Sequence, residues 1–150
     1  MEIFIDCEHN GWRGKLLSMA LISGDERSFY KELPLPKNEP LKKWVKENVI
    51  PLLGRKQVVG HSEFQRELEL WLMQFDKIHL IADWPEDVSY FCESLITSPG
   101  KRINTPPLTI EIRRDLDVVS KVPHHALWDA MAMRELYYVV TNQEPPAKFV

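Results

Sequence analysis

The sequence predicts one α/β domain over residues 1–150, a mixed sheet with helices packed against it. Two observations carry that expectation. Three apolar runs separated by short turns open the chain, and segments of helical and strand period alternate after them. The length agrees, since 150 residues suit a single core of ordinary size.

Ile3 to Asp6 is a short β-branched and aromatic run, and Leu16 to Ser23 is a second apolar one. Between them, Asn10-Gly11-Trp12-Arg13-Gly14 is rich in turn formers. Gly24-Asp25-Glu26 then precedes a third candidate strand, Arg27 to Leu33. Strands joined this closely read as an antiparallel meander. Past Pro34, Pro36 and Pro40 the period changes: Leu41, Trp44, Val45 and Val49 recur at helical spacing until Pro51. Ser62 reads as the N-cap of a long helix whose apolar face carries Phe64, Leu68, Trp71, Leu72 and Phe75. Lys77 to Ala82 has strand length, and Glu86 to Ile96 follows the start signal Pro85 as a helix. Leu108 to Ile112 is a further strand and Ala126 to Val140 a last helix. Pro99-Gly100 and Pro106-Pro107 bracket a loop carrying Lys101 and Arg102.

Composition narrows the function classes. Hydrophobic residues make up 44% and charged residues 27%, the balance of a soluble globular chain rather than a disordered one. No apolar run reaches the ~20 residues that a membrane span needs, so a membrane is not an expected partner. The start, Met1-Glu2-Ile3-Phe4-Ile5-Asp6, lacks the basic stretch and cleavage site of a secretory signal. Cys7 and Cys92 lie far apart and form neither a metal-binding pair nor a disulfide framework, which fits a cytoplasmic protein. A net charge of −3 weighs against a passive nucleic-acid binder. It does not weigh against an enzyme that holds phosphates through cations, because divalent ions reverse the local charge.

Three short stretches carry the chemistry. Asp6-Cys7-Glu8 ends the first strand, where alternation sends Asp6 and Glu8 to one face and Cys7 to the other. Two adjacent carboxylates repel unless a cation lies between them, and oxygen ligands suit Mg²⁺ or Mn²⁺. Two solvated acids at a strand end give the same pattern, and Cys7 reads as a small core residue. Asp83 and Asp87 sit where a strand passes into a helix, a place that caps also occupy. His124-His125-Ala126-Leu127-Trp128-Asp129 opens the last helix. Asp129 falls near the face of Ala126, Ala130 and Met133, where a carboxylate is unusual without a positive partner. A surface histidine pair with a solvated aspartate is the alternative there.

Taken jointly, the order and spacing resemble the DEDDh exonucleases of the DnaQ-like, ribonuclease H-like superfamily, over nearly the whole chain. Ile3-Phe4-Ile5-Asp6-Cys7-Glu8 is similar to the first motif, and Leu16 to Ile22 to the strand that follows it. The second motif of the family reads His-Asn, three residues, then a metal-binding Asp; here Ala82-Asp83, three residues and Asp87 stand in those places. His124 to Ala130 is similar to the third motif. The resemblance implies a ribonuclease H-like mixed sheet with three antiparallel strands followed by parallel ones. It also implies Asp6, Glu8, Asp87 and Asp129 as ligands of two Mg²⁺ or Mn²⁺ ions, with His124 as the general base. Asp83 then takes the place of the family's substrate-facing asparagine. The missing His-Asn and the second histidine, His125, at the x3 spacing of the tyrosine branch, are departures from the pattern.

The small size resembles the short stand-alone exoribonucleases, among them the ribonuclease AS group. This implies single-stranded RNA 3′ ends as substrate, with DNA as the alternative, and nucleoside 5′-monophosphates as products. Some members form homodimers, so a homodimer is among the expected assemblies. Trp12, Trp84, Arg13 and Lys15 lie near the motifs and are candidates for gripping the strand end. A catalytically weak domain binding RNA or protein through the same cleft is the reading from another class.

Overall fold

Turn chemistry builds the first half of the sheet. The computed structural model describes residues 1–150, in which β1 (Glu2–His9), β2 (Leu16–Ser23) and β3 (Ser28–Glu32) form the expected antiparallel meander. The first turn demands glycine: a Cβ on Gly14 would lie 2.1 Å from the Asn10 carbonyl oxygen, and Gly11 has a φ of 73°. Its neighbour Arg13 is held at a φ of 55°. Asn10 pins this turn to the following segment, its side chain donating to Glu39 at 2.5 Å and to the Pro40 carbonyl at 3.0 Å.

That segment leads to α1 (Lys43–Asn48) and a 3-10 turn over Ile50–Leu52. Pro51 therefore sits inside a turn, at an early position where its missing N–H is not needed. The long helix α2 is His61–Leu72, capped by Gly60 and not Ser62; Gly60 is extended, and its carbonyl accepts the Phe64 N–H at 2.8 Å. Phe75 lies beyond the helix end but is buried against Trp71, their ring centroids 5.0 Å apart. The chain then crosses to β4 (Ile78–Ala82), parallel to β1, and to α3 (Pro85–Leu95). The stretch expected as a loop with Lys101 and Arg102 is a hairpin, β5 (Ile96–Ser98) with β6 (Lys101–Arg102). It turns at Gly100, whose φ is 72°. β7 (Leu108–Ile112) pairs parallel with β4, and α4 (Ala126–Val140) ends the regular structure. No helix is long and apolar enough to cross a membrane.

The strand order is β3-β2-β1-β4-β7, a mixed sheet flanked by four helices, consistent with a ribonuclease H-like arrangement. Alternation along β1 sorts the two cores. Ile3, Ile5 and Cys7 join Phe64, Leu68 and Leu72 of α2 and Phe91 of α3 on one face. Phe4 joins Ala126, Ala130, Met133 and Tyr137 of α4 on the other. Val45 of α1 and Val49, which caps its end, pack at the edge of this frame with Leu17 of β2.

One buried acid is structural. Glu32, 1% exposed, ends β3 and accepts hydrogen bonds from the Tyr30 hydroxyl (3.0 Å), the Gly54 N–H (2.9 Å), and both the N–H (2.9 Å) and guanidinium (3.3 Å) of Arg55. It anchors the segment between α1 and α2 to the edge of the sheet.

Candidate metal centre

β1 is the central strand, so its last residues lie where β4 and β2 bring their own ends. Asp6 and Glu8 point to the α4 face, as alternation requires, opposite Ala20 and Ser18 of β2. Asp87 stands in the first turn of α3, only 3% exposed, and its Oδ1 accepts the Cys7 N–H at 3.1 Å. Asp83 precedes that helix, and its backbone carbonyl accepts from the Arg114 guanidinium. Asp129 lies in the first turn of α4, and its Oδ2 accepts the backbone N–H of His124 at 2.9 Å.

These acids form two clusters: Asp6, Asp83 and Asp87 in one, Asp6, Glu8 and Asp129 in the other. Within each, one oxygen per residue lies within 4.8 Å of the others. Asp6 belongs to both. Its Oδ2 is sealed from solvent and has no hydrogen-bond partner. The sequence register assigned Asp87 to the metal and Asp83 to the substrate, whereas the fold brings both carboxylates to Asp6.

Burial and mutual repulsion make these carboxyls poor acids. Burial, then Asp87, Glu8 and Asp129, raise Asp6 well above the usual carboxylate range. Burial and the nearby Asp129 push Glu8 up to about 8, and burial with Asp83 pushes Asp87 up to about 8. Burial also raises Asp83 and Asp129, the latter against hydrogen bonds that favour its charge. A site of oxygen donors only, with an orphaned buried oxygen at its centre, fits hard divalent cations such as Mg²⁺ or Mn²⁺.

The two histidines separate. His124 sits outside α4 with a φ of 67°, its ring edge-on to that of Trp44 with centroids 4.8 Å apart. His125 holds the N-cap position, stacked on Tyr30 at 5.0 Å, and its Nδ1 is buried without a partner. The helical spacing of Trp44 gave it only a packing role; its place beside His124 depends on a fold in which α1 reaches the start of α4, which no local pattern encodes.

Trp12 is 77% exposed in the first turn, with the Arg13 guanidinium 4.7 Å from its ring centroid. Together with Lys15, Lys37, His61 and Tyr90 they line a groove of about 1110 Å³ on the α2–α3 side. The groove reaches Glu86, next to Asp87, but Asp6, Glu8 and Asp129 do not line it. Trp12 is therefore not brought into the carboxylate clusters. No protein-family model matches this chain and no curated protein does, so a functional reading rests on the geometry and chemistry of the site.

Proposed function

We propose that the chain is a metal-dependent 3′–5′ exonuclease acting on single-stranded RNA. The observation that carries this reading is the half-buried Asp6, its Oδ2 sealed and without a partner, shared by two clusters of three acids, a donor arrangement suited to a pair of cations. Asp6 would serve both ions, Glu8 and Asp129 one, Asp83 and Asp87 the other. When bound, such ions lower the pKa of water and neutralise charge at a phosphate.

The chain's own residues supply the rest. His124 lies outside the helix with its backbone N–H on Asp129; in this reading its imidazole takes the proton of the attacking water as the water oxygen bonds to phosphorus. The bond from phosphorus to the 3′-oxygen breaks, and that oxygen takes a proton from solvent and leaves as the new 3′ end. The product is a nucleoside 5′-monophosphate. The dipole of α3 steadies the ionised form of Asp87 at its first turn.

The test is a time course on 5′-labelled RNA and DNA with Mg²⁺, Mn²⁺ or EDTA. The expected result is stepwise shortening of RNA, stopped by EDTA and by a blocked 3′ end. Faster loss of DNA would move the substrate to the other sugar. Cutting of a circular RNA would overturn the exonuclease reading, and binding without shortening would leave a nucleic-acid-binding domain.

A further inference from the structure

Four of the five tryptophans are exposed by more than a third: Trp12 (77%), Trp44 (52%), Trp84 (47%) and Trp128 (39%). Large aromatic surface is usually withdrawn from water, and two of these indoles, Trp84 and Trp44, stand next to residues of the acidic site, which points to a ligand. Trp84 directly follows Asp83. Its indole N–H donates to Glu86 at 2.9 Å, which fixes the ring, and the Arg114 guanidinium lies 4.6 Å from the ring centroid. Trp44 stands against His124.

Strand order sets the elements that carry these two indoles on opposite sides of β1, the strand of Asp6. Asp6 is on β1, between β2 and β4. Trp84 follows β4 and Arg114 follows β7, whereas the helix of Trp44 packs on Leu17 of β2. Each indole thus pairs a flat apolar face with a nitrogenous side chain, beside a site suited to cations. A nucleotide has the matching parts, a flat base joined to an anion.

We infer that Trp84 with Arg114, and Trp44 beside His124, are stacking sites for unpaired bases on the two sides of the phosphate held at Asp6. The ligand follows from the nuclease reading, but the binding test does not depend on turnover. Stacking requires bases free of a partner strand and tolerates any base, so it selects single strands without reading their sequence.

The experiment measures binding of a 5′-fluorescent ten-nucleotide RNA, the same length with abasic nucleotides at its 3′ end, and the corresponding duplex. Ca²⁺ replaces Mg²⁺ to favour binding over turnover, and nucleotide release with Mn²⁺ is followed in parallel. Trp44→Ala and Trp84→Ala should each weaken binding of the intact strand by about 5- to 150-fold, the worth of one stacked base. They should leave binding of the abasic strand unchanged, and Trp44→Phe and Trp84→Phe should recover most of the loss. These Phe variants keep the test valid should an Ala variant fail to fold. Equal binding of intact and abasic strands by the unaltered protein would overturn the inference, even with nucleotide release intact. The base-dependent pattern without nucleotide release would support stacking and remove the nuclease reading. Neither binding nor release would remove both.

Discussion

The backbone N–H of His124 donates to Oδ2 of Asp129 at 2.9 Å, so the link between the candidate base and the candidate ligand does not use the imidazole. His124→Ala keeps that bond and should leave folding and cation binding intact. Turnover should fall by about 10²–10⁴-fold, the usual contribution of a general base. His125→Ala, which removes the stack on Tyr30, should lower thermal stability more than turnover. Rates at saturating Mg²⁺, with circular dichroism as the folding control, separate the two. A larger rate loss for His125→Ala would reverse the roles.

Asp83 and Asp87 both face Asp6, so each should contribute to cation affinity. Asp87→Asn can still accept the Cys7 N–H and should fold normally, while Mn²⁺ binding weakens in a calorimetric titration. Asp83→Asn should weaken it as well. Affinity unchanged by Asp83→Asn would return that residue to the substrate.

The raised carboxyls set a pH dependence whose sign is opposite to the usual acid one. Asp87 and Glu8 titrate near about 8 in the fold, against about 4 in an unfolded chain, so the folded state holds more protons between these values. Without divalent cations, stability should therefore fall as pH rises from about 4 to 8. Melting temperatures in EDTA should be lower at pH 8 than at pH 5.5, and Mn²⁺ should raise the value at pH 8 far more than at pH 5.5. A flat EDTA profile would show that the acids are better solvated than their burial implies.

The sheet and the identity of most acids were legible because both follow from local pattern. The meander is written in apolar runs and turn residues, and Asp6 and Glu8 share a face by alternation alone. Helix ends were less legible: Gly60 caps α2 through its backbone, so Ser62 was a misleading signal. Trp44 beside His124 and the membership of Asp6 in both clusters were not legible, since both depend on how distant elements meet.

Glu32 offers a control remote from the cation chemistry. Glu32→Ala removes the acceptor of four donors, and each one left buried without a partner costs about 1–3 kcal/mol. Denaturant unfolding should show the loss in EDTA and in Mn²⁺ alike. Restoration by Mn²⁺ would mean that the anchor and the acidic clusters are coupled.

Because Asp6 belongs to both clusters, the residue on which the proposed activity depends most is also one whose burial and crowding hold its carboxyl well above the ordinary range, at a cost to stability near neutral pH. An amide at that position would donate to the acids around it and relieve their crowding, so Asp6→Asn should melt higher than the unaltered protein in EDTA while releasing no nucleotides. Selection for heat resistance alone would then favour the dead protein. Such a chain persists only where use, and not durability, decides which sequences are kept.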